Sequence, residues 1–441
     1  MLVLLASYVF YAWWDERFLG LLVFSSLADL LIGQRIHLSE GIKRKLWLYL
    51  SLAINLGLLG FFKYFNFFVE GATGILESLG LHAHPATLQI ILPIGISFYT
   101  FQTLSYSIDI YRRHIVPTRD PLAFCAFVSF FPQLVAGPIE RARDLLPQFE
   151  RSRVFDPAAA KDGLRQMLWG FFKKIAIADT CAPLVEHIFS LEPSSTSGIT
   201  LLMGAFFFAF QIYGDFSGYS DIAIGLGKLF GFRLSRNFAY PYFSRSISEF
   251  WRRWHITLSS WFRDYVYLPL GGWRTRSGRA ANIMTTFAVS GLWHGANWTF
   301  MAWGILHGSY HLPRTFSDSK VDKDLVHLRD LPSILWTFLL VTLAWIFFRS
   351  ATVTDAVEYL IFIFRNFLVH PGALIVWSNK PETWLILLMV LIEWPNRMKL
   401  HPLESLNYPW PIRWAFYLIL MVSILLLLDI GTAREFIYFQ F

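Results

Sequence analysis

Runs of apolar residues, separated by short polar or basic stretches, fill most of the 441-residue chain. A run of roughly 20 such residues, rising about 1.5 Å per residue as a helix, crosses about 30 Å of hydrocarbon. Runs of this kind occupy residues 46–65, 88–111, 164–183, 199–216, 281–303, 333–348 and 412–430, and shorter or interrupted ones lie at 1–14, 18–32, 122–139, 219–232, 356–369 and 383–394. The pattern predicts an all-α, polytopic integral membrane protein with about ten transmembrane helices, the other runs being re-entrant.

Basic residues orient the spans. Lys43, Arg44 and Lys45 put the connection 35–45 inside, whereas 66–87, with Glu70 and Glu77 and no Lys or Arg, falls outside. Arg112, Arg113 and Arg119 are inside, as is the run 141–165, while 188–200 is outside. The stretch 122–139 therefore returns to the side it left, with Pro132 and the Gly137-Pro138 pair supplying the break; its backbone then needs protein or a polar cavity over it. An ordinary kinked span with weak charge bias is the alternative. Met1 leads straight into apolar residues, so no cleavable signal peptide is expected.

Composition excludes a soluble multi-domain protein: 55% of residues are hydrophobic and 16% charged, against about 25% charged in soluble chains. The reading is one transmembrane domain over 1–441, with membrane lipid as its surroundings. The net charge of +7, from 38 basic and 31 acidic residues, is what inside loops require and does not call for nucleic acid. Cys125 and Cys181 cannot build a disulfide framework and lack metal-site spacing. No GxSxG elbow, Walker A loop or GxGxxG fingerprint supports a serine hydrolase, a P-loop ATPase or a Rossmann dehydrogenase.

The densest chemistry lies between Asp215 and His311. Projected as one helix, 246–263 carries Phe250, Trp251, Trp254, His255, Leu258, Trp261 and Phe262 on one face and Glu249, Arg252, Arg253, Ser260 and Arg263 on the other. That is an amphipathic helix at a membrane surface, with its Arg face toward water or lipid phosphate. His255 sits within the inward face, where a carbonyl-bonded core histidine is the plainer alternative. His294 lies inside the apolar run 281–303, where an ionisable group is a functional candidate because its burial is costly. Gly291 and Gly295, one turn apart, admit a neighbouring backbone or an elongated substrate, and Trp293 and Trp298 offer flat walls. Burial favours a neutral imidazole, the form able to take a proton from a hydroxyl; an interhelical hydrogen bond is the other reading. His307 and His311 have metal-pair spacing without further ligands at sensible intervals, so no metal is expected. Asp215 and Asp221 are carboxylates in apolar surroundings, which orient a histidine or pair with a cation; the structural role is favoured.

These residues carry a resemblance. The segments 215–225 (DFSGYSDIAIG), Asn237-Phe238 with Pro241-Tyr242, 246–255 (SISEFWRRWH), Arg263-Asp264-Tyr265, 269–272 (PLGG) and 291–300 (GLWHGANWTF) resemble the membrane-bound O-acyltransferase family, in its branch containing the alginate O-acetyltransferase membrane subunit. Residues 131–139 (FPQLVAGPI) and 436–441 (FIYFQF) extend the match over nearly the whole chain. The resemblance implies a multi-helix fold around a central tunnel, a family core over 90–310, His294 as the essential histidine and His255 as the second active-site position. Members of this branch usually begin with one more hydrophobic segment, so an N-terminal helix is expected to be missing here.

By this resemblance the chain is an O-acyltransferase of the cell inner membrane that uses acetyl-CoA as donor substrate and holds no permanent cofactor. Arg252, Arg253 and Arg263 would bind the donor phosphates. Trp251, Trp254 and Trp261 would line the entry, with Asp215, Trp293, Asn297 and Trp298 as further substrate-binding candidates. His294 would act as general base, and His255 would polarise the thioester carbonyl or orient the acceptor. The acetyl group would then pass to an SGNH-type periplasmic partner that decorates a polysaccharide. The acceptor stays open among alginate, another exopolysaccharide, peptidoglycan and teichoic acid. D-alanyl transfer to teichoic acid, a transporter or flippase, and a scaffold of an export complex are the rival readings.

Overall fold

The computed structural model describes residues 1–81, 87–135, 137–272, 276–316, 326–370, 372–406, 408–428 and 436–437, with the side chains of 276–277 and 314–316 excepted. Ala136 and residues 438–441 of the family-like segments lie outside these. The described chain is all-helical, with 76% helix and no strand. Five of its helices are long and apolar enough to cross a membrane: Glu16–Leu38, Gly41–Ser78, Gly198–Leu229, Leu328–Arg349 and Trp410–Leu427. The chain divides into two compact units, one of Met1–Pro157 with Gly227–Ser235, the other of Ala158–Leu226 with Arg236–Phe441.

In the first unit α1 (Leu2–Trp14), α2 (Glu16–Leu38) and α3 (Gly41–Leu59) precede α4 (Ile96–Tyr111). The predicted run 88–111 is helical only from Ile96, because Gly95 takes φ +74°, and a Cβ there would stand 2.6 Å from the Leu134 carbonyl oxygen. Helices α2, α3 and α4 are clasped by a buried polar cluster. Asp29 accepts hydrogen bonds from Ser51 Oγ at 2.6 Å, Asn55 Nδ2 at 2.7 Å and Ser107 Oγ at 3.2 Å, and Thr103 Oγ1 donates to Asn55 Oδ1 at 2.7 Å. Each donor replaces water that lipid cannot supply. The stretch 122–139 folds as two short helices, α5 (Pro121–Val128) and α6 (Phe131–Leu134), before α7 (Ala142–Glu150). At about 1.5 Å per residue α5 reaches about 12 Å, well short of the hydrocarbon thickness.

In the second unit α8 (Pro157–Phe171) runs through a π-helical stretch, Phe172–Asp179, into α9 (Thr180–Phe189). The predicted runs 199–216 and 219–232 are one 32-residue helix, α10 (Gly198–Leu229). Its Gly218 does not interrupt it, since that glycine serves packing: a Cβ there would meet the Gly170 carbonyl oxygen at 2.8 Å. At this close approach Lys173 pairs with Asp221 (2.6 Å) and donates to Ser217 Oγ (2.8 Å), and Lys174 pairs with Asp215 (2.8 Å) and Asp179 (2.7 Å).

Two sequence expectations are corrected here. The stretch 246–263 is two helices, α11 (Ile247–Arg253) and α12 (Ile256–Phe262), because Trp254 is extended and His255 adopts φ +42°, ψ +54°. Glu249, expected on the water face, is 6% exposed and grips Arg245 (3.0 Å) and Arg253 (2.8 Å). Likewise 281–303 is a helical hairpin, α13 (Arg276–His294) and α14 (Trp298–Phe316). Asn297 breaks it by accepting the Thr299 N–H at 3.0 Å, as an N-cap does. Helices α15 (Leu331–Arg349), α16 (Val353–Arg365), α17 (Pro381–Glu393) and α18 (Trp410–Leu427) complete the unit.

Candidate active site

His294 ends α13 and so stands at the tip of the hairpin, 3% exposed. The hairpin closes tightly because its contact positions are glycines: a Cβ on Gly291 would come within 2.2 Å of the Phe300 carbonyl oxygen, and one on Gly304 within 2.2 Å of that of Phe287. The neighbour that Gly291 admits is therefore the backbone of α14. Around the His294 imidazole stand Trp293 (5.0 Å between centroids), Trp303 (5.0 Å) and Phe348 (5.4 Å), each nearly edge-on. Trp345 of α15 stacks on Trp303 at 5.5 Å and meets Trp254 at 5.1 Å.

His255 lies at the junction of α11 and α12 and has no exposed surface. Its left-handed backbone costs about 1–2 kcal/mol in a non-glycine residue, and the segment preceding α11 holds it there. The Ile256 N–H donates to the Asn237 carbonyl and the Ala239 N–H to that of Arg253, both at 2.9 Å. The ring packs on Phe216 at 4.6 Å and Phe238 at 6.4 Å, and on Trp293 at 6.2 Å. Burial pushes the imidazole down to about 3, so it is neutral near pH 7. Trp293 thus packs against both histidine rings, which brings the two predicted site positions to one indole.

The other predicted residues do not gather in one place. Trp251 and Trp254 are buried beside the histidines: Trp251 Nε1 donates to His307 Nδ1 at 3.3 Å, and Trp254 packs on Phe238 at 5.0 Å. His311 Nε2 lies 3.1 Å from Ser248 Oγ, so both histidines of the suspected metal pair tie α14 to α11. No group of three or more His, Cys, Asp or Glu that could hold a metal occurs among the described residues. Arg252 is exposed, whereas Arg253 is committed to Glu249 and to the Ala239 carbonyl (3.3 Å). Asn297 caps α14 and donates to the Ala351 carbonyl at 2.9 Å, and Trp298 is 58% exposed. Asp215 binds Lys174 and accepts the Ile437 N–H at 2.7 Å. Three residues of the site were not assigned to it by sequence: Asn237, quoted only within a family-like motif, Trp303 and Trp345. The tryptophans lie in apolar helices, where nothing separates a site wall from core.

The sequence matches the pattern of the membrane-bound O-acyltransferase family over residues 111–353. It is 45% identical to a probable alginate O-acetylase of Azotobacter vinelandii over 79% of this chain and 69% of that protein. It is 34% identical to the peptidoglycan O-acetyltransferase of Helicobacter pylori over 100% of this chain and 91% of that protein. A teichoic acid D-alanyltransferase of Streptococcus thermophilus is 29% identical over 55% of this chain and 63% of its own length. The chain spans about two thirds of the length of the alginate O-acetylases it matches, 66% to 71%.

Proposed function

Since this chain belongs to the membrane-bound O-acyltransferase family and is an O-acyltransferase, we propose that it moves acetyl from cytoplasmic acetyl-CoA toward an extracytoplasmic polysaccharide of the alginate type. The observation that carries the reading is the pair of buried histidines, His255 and His294, that both pack against Trp293. In the reaction, the accepting hydroxyl gives its proton to His294 as its oxygen attacks the thioester carbonyl carbon. The tetrahedral intermediate collapses, the C–S bond breaks, and the proton passes to the leaving sulfur. The products are an O-acetyl ester and the free thiol. General-base help of this kind contributes about 10² to 10⁴ in rate. Arg252, exposed at the end of α11, is suited to the donor phosphates. The acetyl group then passes from this ester to an SGNH-type periplasmic partner that decorates the polysaccharide, the ester C–O bond breaking and the accepting hydroxyl being released, and the protein works in the inner membrane.

The test is His294→Ala: polymer O-acetylation is expected to fall about 100-fold or more while protein level and membrane insertion hold. Retained acetylation overturns the assignment, and full activity in His294→Gln removes acid-base work from this residue. The end-to-end match to a protein named peptidoglycan O-acetyltransferase favours peptidoglycan as the second acceptor. NMR of the surface polymers with and without this protein separates lost acetyl esters on alginate from those on peptidoglycan, and either from lost D-alanyl esters.

A further inference from the structure

Asn237 is fully buried, and its side chain is spoken for at both ends. Its Oδ1 accepts the Thr257 N–H at 3.4 Å and the Thr257 hydroxyl at 2.9 Å, while its Nδ2 donates to Ser220 Oγ at 3.3 Å. A backbone N–H only donates, so the Thr257 contact identifies which end of the amide is oxygen. That same oxygen lies 3.0 Å from His255 Nδ1. The partner of a carbonyl-type oxygen must be a donor, so Nδ1 carries the proton, and in a neutral imidazole Nε2 then carries the lone pair. Phe216, Phe238 and Trp293, which pack on the ring, bring no charge to offset this.

We propose that Asn237 is a positioning residue that fixes His255 as the Nδ1-protonated tautomer, so that Nε2 accepts a hydrogen bond from a polar hydrogen of the acceptor other than that of the reacting hydroxyl, whose proton goes to His294. Of the two roles open to His255, this selects orientation of the acceptor. Polarising the thioester carbonyl requires a donor at Nε2, which this tautomer lacks. The inference rests on the acyl-transfer reading above for its link to the acceptor, but the tautomer itself does not.

The test uses the full chain in lipid nanodiscs with isotopically labelled histidine and nitrogen NMR, the His255 signals being those lost in His255→Gln. Wild type is expected to show a protonated Nδ1 and an unprotonated Nε2 at His255. Asn237→Asp, which keeps an acceptor oxygen, should retain that signature. Asn237→Leu should lose it, with acetyl transfer about tenfold or more below Asn237→Asp at equal protein level, as a wrong tautomer disables a catalytic histidine elsewhere. A wild-type His255 protonated at Nε2 overturns the proposal, as does Asn237→Leu with tautomer and activity intact. If the tautomer is as expected but His255→Gln keeps full activity, the acyl-transfer placement of His255 fails, and with it the role assigned to Nε2.

Discussion

Glu140, 2% exposed in the loop before α7, accepts the Ser235 N–H through one carboxylate oxygen and the Ser235 hydroxyl (3.0 Å) through the other. Burial pushes its carboxyl up to about 7 from an ordinary 4.5. The folded state therefore binds more protons than the unfolded chain between those values, and stability is lost as pH rises through that window. The thermal midpoint of the wild type should fall between about pH 5 and 7, whereas that of Glu140→Gln, whose amide oxygen can accept the Ser235 N–H and whose NH2 can donate to the Ser235 hydroxyl oxygen, should be flat there; parallel profiles would refute the assignment. Single residues of this sort were unevenly legible. His294 stood out because an ionisable group in an apolar run has few bland explanations. Asn237 did not, because its importance lies in contacts 18 and 20 residues away across a turn that no periodicity encodes.

At the scale of elements, apolar pattern located the helices better than it located their breaks. Across 281–303 no Asp, Glu, Lys or Arg interrupts the run at Gly295-Ala296-Asn297, so a span and a hairpin look alike; only the N-cap at Asn297 and the glycines at 291 and 304 tell them apart. In 246–263 the helical period continues through Trp254 and His255, and the break comes from backbone pairing with 237–239. The glycine contact makes a prediction. Gly304→Val places a branched side chain against the Phe287 carbonyl and should destabilise the hairpin by about 1–3 kcal/mol, lowering the thermal midpoint and moving His294. Gly57, with nothing within 4 Å of a Cβ, is the control position, and an equal loss there would refute the packing account. In the first unit, Asp29→Ala leaves the donors Ser51, Asn55 and Ser107 without their acceptor at about 1–3 kcal/mol each. It should therefore reduce the yield of folded protein in detergent well below that of a lipid-face substitution such as Leu31→Ala.

Taken whole, the molecule hides a small number of charges inside an apolar exterior. Helix α18 is only 6% buried over its span, so most of its surface is left to lipid. By contrast α10, 67% buried, carries Asp215 and Asp221, each with a lysine of the preceding helical segment. Removing one member of a buried pair costs about 3–5 kcal/mol. Lys174→Met should thus lower the thermal midpoint more than Lys174→Met combined with Asp215→Asn; equal losses would mean that the charges are not coupled. The same pairing bears on how the protein enters the membrane. Lys173 leaves the ribosome 44 residues ahead of its partner Ser217, and with it go two ammonium groups that are costly in lipid alone. Within its own segment Asp179 offsets one of them, so the stretch from α8 to α9 becomes a better passenger when α10 arrives beside it with Asp215 and Asp221. The two helices are thus expected to enter lipid together, with their charges paired.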